Sequence, residues 1–266
     1  MGASMLFLLT GDVQIGKTRW LEKLCGDLAA AGVCVAGVIA PGQWVPRTEG
    51  QPGGRHGFDG EGRFEKLGID NVLLPQGERI VFARRRDLAE GDQPLAQGEQ
   101  AKAAQLAWAI SDEAIAQVNN HFAMLATMGQ RDCPFVPLSG GGARGRATTG
   151  SASADGDSAG GHPTAGGAVT GAVSASEKLA PAIAPGTFLM VDELGRLELL
   201  RGCGLTNAVA LLDAGPTPTF PHAIAVVRET LLDQAISRFA SAWEEPHPIA
   251  PGDEARQLIF NTFGVR

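Results

Sequence analysis

Hydrophobic residues in this chain follow two patterns in turn. Met5 to Thr10 (MLFLLT), Val33 to Ala40 (VCVAGVIA), Phe188 to Val191 and Ala223 to Val227 (AIAVV) are short continuous apolar runs. Such runs mark strands buried on both faces. Between them the spacing turns helical. Lys17 to Ala31 sets Trp20, Leu21, Leu24 and Leu28 on one stripe, with Gly32 as a stop. Ser111 caps a predicted helix running to about Met128, with Ile115, Val118, Phe122 and Leu125 as its buried face. Cys203 to Ala214 and Glu229 to Phe239 are the last two predicted helices. Pro41-Gly42 closes the second strand. Gly68 to Leu74 and Glu78 to Arg84 flank Pro75-Gln76-Gly77 as a hairpin. Strands alternating with helices predict an α/β fold: three layers, a mostly parallel central sheet with right-handed crossovers, and the added β-hairpin.

Composition changes this picture in one place. Twelve of the 36 glycines lie between Ser139 and Thr187, among Ser, Thr and Ala and with almost no large apolar side chain. A stretch of that kind cannot bury enough surface to offset its ordering entropy, so 139–187 is expected to be a disordered low-complexity insert. Its few charges cancel. Without it, the remainder of 1–266 has the size of one domain.

Charge and cysteine usage exclude some functions. A net charge of −7 argues against a nucleic-acid partner. No run reaches the roughly 18 apolar residues of a membrane helix, and Met5 to Leu9 lacks the basic flank of a secretory leader. Cys25, Cys34, Cys133 and Cys203 are scattered without a CxxC pair. That usage suggests neither a disulfide framework nor a zinc site, and points to the reducing cytoplasm. His56, His121, His162, His222 and His247 likewise show no ligand spacing. A monomer is expected.

The chemistry begins at Gly11. Gly11-Asp12-Val13-Gln14-Ile15-Gly16-Lys17-Thr18 matches GxxxxGK[ST] in full, leaving an apolar strand and opening an amphipathic helix. The two glycines let successive N–H groups close around a phosphate, and the helix N-terminus adds its positive end. Lys17 is placed to reach β- and γ-phosphates, and the Thr18 hydroxyl to hold Mg2+. The third apolar strand ends in Asp192-Glu193. A carboxylate there is the expected magnesium-side partner of such a loop, and Glu193 the group that orients or deprotonates a water.

The segments TGDVQIGKTRWLEKL, VCVAGVIAP and VDELGRLEL (Val191 to Leu199) together resemble the small P-loop nucleoside-triphosphatase family known from thermophiles and from a human cancer-related homologue. Gly68 to Arg85 and Ala225-Val226-Val227-Arg228 fit its hairpin and late strand more loosely. The resemblance implies an ATPase or GTPase of broad base range, with Lys17 and Glu193 catalytic, Gly11 to Thr18 and Arg228 on the nucleotide, and Thr18 and Asp192 on Mg2+. It puts Arg196 beside phosphate or as a brace of the Glu193 loop. Arg84-Arg85-Arg86 is a phosphate clamp or a solvated charge run, and Trp44, in the loop after the second strand, is the base-stacking candidate. Asp12 and Gln14 replace the small or proline residues common in this loop. Three functions remain open: nucleoside-triphosphate hydrolysis, a small-molecule or nucleotide kinase with an Arg-rich lid, and an accessory module that acts on a protein partner.

Overall fold

In a computed structural model, residues 4–12, 15–46, 64–85, 98–103, 108–127 and 186–265 are described, all within one compact unit. The expected insert lies outside them except at its end. Gly186 and Thr187 are buried, and the Thr187 N–H donates to the Thr219 carbonyl at 2.7 Å on entry to the next strand.

The elements run β1 (Met5–Leu9), α1 (Lys17–Ala30), β2 (Val35–Ile39), β3 (Gly42–Pro46), β4 (Phe64–Leu74), β5 (Glu78–Arg85), α2 (Glu99–Ala103), β6 (Trp108–Ile110) and α3 (Asp112–Thr127). They continue with β7 (Phe188–Leu194), α4 (Arg196–Arg201), α5 (Thr206–Asp213), β8 (His222–Val227), α6 (Leu232–Trp243), β9 (His247–Ile249) and α7 (Asp253–Thr262). All nine strands join one mixed sheet. Its body is parallel, in the order β2-β7-β8-β1-β9. Beyond β2 the sheet turns antiparallel through β4, β5 and β6, and β3 also pairs with β4.

Strand alternation divides the core in two. Leu6 and Leu8 of β1 face α3, α5 and α6 with Phe122, Leu212 and Phe239, whereas Phe7 and Leu9 face α1 and α7 with Leu24, Leu28 and Ile259. Helices therefore cover both faces of the parallel body, which is why β1, β2, β8 and the first half of β7 are mainly apolar. Each fully buried Leu or Phe contributes roughly 1.5–3 kcal/mol of transfer energy.

The predicted strands and the Ser111 cap are present. The Ser111 hydroxyl accepts from the N–H groups of Glu113 and Ala114 at 3.2 and 3.3 Å. Other features differ from the sequence expectation. The helix expected over Cys203 to Ala214 starts at Thr206 and is preceded by α4, while Glu229–Leu231 is a 3₁₀ turn leading into α6. The hairpin is the centre of a four-stranded wing, because β3 and β6 flank it. β3, β6, β9 and α7 have no clear apolar signature: β9 carries Pro248 at its centre, tolerated because it is an edge strand. No helix among the described residues is long and apolar enough to cross a membrane.

Candidate functional site

The parallel strands β2, β7, β8 and β1 are neighbours, so their carboxyl ends, Ile39, Leu194, Val227 and Leu9, lie along one rim. Ligands of open α/β sheets bind at that rim. Gly11 follows β1 there with φ +127°, and Gly16 precedes α1 with φ +90°, backbone conformations that side chains rarely adopt. A Cβ on Gly11 would come within 2.6 Å of Ile15 Cδ1, so a side chain would intrude on the loop's interior. The Lys17 ammonium spans the loop, donating to the carbonyls of Gly11 and Asp12 at 2.8 Å each. Burial lowers its proton affinity, and the Glu193 carboxylate partly restores it. Val13 and Gln14 lie outside the described residues.

Asp192 stands at the end of β7, 4% exposed. Its Oδ2 accepts the Ala40 N–H from the end of β2 at 2.8 Å, and it also accepts the Thr18 hydroxyl. Burial pushes the carboxyl up to about 6 despite these hydrogen bonds, and the Glu193 charge adds to the rise. Loop, helix start and the ends of β2 and β7 thus converge on one buried carboxylate.

Glu193 is aimed by a bulge. Between Val191 and Leu194 the β7 register slips by one residue against β8, so Val191 and Leu194 both enter the same core layer. Glu193 itself has φ +75°, a left-handed conformation rare for a non-glycine residue. Strain of this sort costs about 1–3 kcal/mol and concentrates at functional sites. Its carboxylate, 41% exposed, accepts from Arg228 Nη2 at 2.7 Å. The Glu193 charge raises the proton affinity of Arg228. The loop after Glu193 is held by the buried Glu198, whose oxygens accept the N–H groups of Gly195 and Leu205 at 2.9 and 3.0 Å. Burial raises the Glu198 carboxyl above its ordinary range. Arg196 is exposed at the start of α4.

Two members of the triple-arginine run form ion pairs between strands. Arg84 lies 3.5 Å from the buried Asp70, and Arg85 pairs with Glu65. Arg86 lies outside the described residues. Trp44 sits on β3 rather than in a loop, with the Arg19 guanidinium 5.7 Å and the Lys66 ammonium 5.9 Å from its ring centroid. Lys66 is the residue that sequence reasoning missed. On β4 it lies opposite Trp44, and its charge interacts with Glu193, Asp192 and Arg228. No linear motif marks it; only pairing across the wing brings it near the rim. Of the histidines, His121 Nε2 bonds the Gly37 and Leu74 carbonyls at 3.0 and 3.1 Å, and His222 Nδ1 accepts the Met5 N–H at 3.2 Å. Cys25 is buried, its thiol pushed up to about 11.

No family model matches the chain, and no curated protein matches it. A solved structure titled as the solution structure of a human cancer-related nucleoside triphosphatase aligns with 99% of this chain and 96% of its own, at 14% identity and a TM-score of 0.46.

Proposed function

We propose that the chain is a Mg2+-dependent P-loop nucleoside triphosphatase that transfers the γ-phosphoryl group of ATP, GTP or a similar nucleotide to water. The observation that carries this proposal is the meeting of Thr18 and Asp192 directly behind the Gly11–Lys17 loop. A hydroxyl and a buried carboxylate, both hard oxygen donors, suit Mg2+ and offer little to a soft metal. Thr18 and Asp192 would hold the ion, which when bound offsets charge on the phosphate oxygens.

The remaining roles belong to the chain. N–H groups of the loop and the α1 start bind the phosphates. Lys17 exchanges the carbonyls of Gly11 and Asp12 for the β- and γ-phosphate oxygens. Glu193 orients a water and takes its proton as the water oxygen bonds to γ-phosphorus. The bond from γ-phosphorus to the bridging oxygen breaks, its electron pair leaves with the diphosphate, and the proton passes on to solvent. Arg228 holds Glu193 in position and stands next to the nucleotide. Arg84 and Arg85 pair with Asp70 and Glu65 between strands of the sheet.

The test is phosphate release from a panel of nucleoside triphosphates with and without Mg2+ and without any acceptor. Release that needs both Mg2+ and Lys17 is expected; equal release by Lys17→Ala overturns the proposal.

A further inference from the structure

Lys66 is a cation in an unusual setting. Its stem passes over Gly42, where an added Cβ would lie 2.6 Å from Lys66 Cε. Gly42 is two residues from Ala40, whose N–H holds Asp192. The ammonium lies between two indoles, 5.9 Å from the Trp44 centroid and 5.7 Å from that of Trp108. Trp44 is its direct cross-strand partner, and Trp108 comes from β6, so three strands of the wing fix its position. Indole faces hold a cation without neutralising it. Among the described residues no carboxylate pairs with it at contact distance, yet Glu193 and Asp192 act on its charge more strongly than Arg228 does. Burial lowers its proton affinity, as for Lys17.

We infer that Lys66 is a second phosphate-binding cation of the site, reaching the γ-phosphate of a bound nucleoside triphosphate from the antiparallel wing while Lys17 reaches it from the loop. The inference rests on the proposed nucleotide site and adds a residue from a different part of the sheet. A desolvated cation held in advance beside developing phosphate charge stabilises the transition state more than the ground state. Diphosphate, lacking the γ group, does not reach it. Lys66 therefore distinguishes triphosphate from diphosphate, with Trp44 and Trp108 as its positioning residues.

The test uses the full chain with Mg2+ and two readouts. In the first, Lys66→Met, which keeps the stem, is compared with Lys66→Arg, which restores the charge. Lys66→Met is expected to lower kcat by about 10²-fold with KM changed less, and to reduce the preference for a non-hydrolysable triphosphate over the diphosphate by about tenfold, with Lys66→Arg recovering part of both. The second needs no variant. In the wild-type chain the triphosphate analogue protects Lys66 from an amine-acylating reagent, read by mass spectrometry, and the diphosphate does not. Normal phosphate release with Lys66→Met indistinguishable from wild type, or equal protection by the two nucleotides, overturns the inference and leaves the hydrolase proposal standing. Triphosphate-selective protection without phosphate release supports the contact and overturns hydrolysis. Absence of nucleotide binding overturns both.

Discussion

The parallel body and the antiparallel wing of the sheet are built on different principles. In the body, β1, β2, β7 and β8 are almost wholly buried and apolar, and polar chemistry is confined to their carboxyl ends. In the wing, buried polar groups lie within the strands themselves: Glu65, Asp70 and Asn71 of β4 are all under 10% exposed. Asp70 is met by Gln43 from β3 at 2.7 Å and by Arg84 from β5, and Glu65 by Arg85. Helices on both faces require the body to be apolar, and burial alone then aligns its strands. The wing adds polar pairs between its strands, where losing one partner would leave an uncompensated buried charge. The body supplies the loop, Asp192 and Glu193; the wing supplies Lys66 and the indoles beside it.

The comparison can be broken most sharply at Lys17. Lys17→Ala is expected to lower turnover by about 10³-fold, read as phosphate release, because no wing residue can replace a charge inside the loop. Next is Gly37→Ala. A Cβ on Gly37, at φ +120°, runs into the backbone of Met190 on β7, so chemical denaturation should show a loss of about 3 kcal/mol or more. Glu193→Gln keeps the shape of the bulge and should slow hydrolysis about 10²-fold while calorimetry shows nucleotide affinity retained; a collapse of affinity would make Glu193 structural. In the wing, Arg84→Met should cost about 1–3 kcal/mol, because the buried Asp70 loses one partner and keeps Gln43 and the more exposed Arg79.

The smallest effect is a pH dependence at the seam of the two halves. His121 of α3 bonds the Gly37 carbonyl of β2 and the Leu74 carbonyl of β4, which face each other where body meets wing. Burial lowers its proton affinity in the folded state, so the unfolded chain binds a proton more readily. The contribution of the neutral ring is therefore complete above the ordinary histidine range near 6.5 and is lost as pH falls below it. Denaturation midpoints at pH 7.5 and 5.5 should drop further for the wild type than for His121→Gln. His222, also lowered by burial, is present in both chains and cancels.

Much of the body is legible in the sequence because its cause is local. A strand covered on both faces must be apolar along its length, so MLFLLT and AIAVV declare themselves, and the loop from Gly11 to Thr18 is contiguous. The apolar stripe of α1 follows the same logic, with Leu21, Leu24 and Leu28 buried as their spacing predicts. β3 and β9 do not declare themselves, since both are short, Pro-containing and stabilised by the neighbour they join rather than by their own pattern. α7 is held to α1 by Arg256 on Asp27 at 2.7 Å and by Gly252 accepting the Trp20 indole N–H at 3.2 Å, pairs more than 200 residues apart.

The sequence by itself determined the α/β alternation and the glycine loop, because each depends on residues close together in the chain and on periodicity. Only the tertiary structure decided that Ala40 and Thr18 converge on Asp192, that a bulge forces Glu193 into a left-handed backbone beside Arg228, and that Arg84 and Arg85 turn to Asp70 and Glu65. It alone brought Lys66 between Trp44 and Trp108 toward the rim. The physical reason is the same in each case. Strand order, register and slips in register are set by which surfaces pack and which polar groups find partners, and those partners lie tens to hundreds of residues away along the chain.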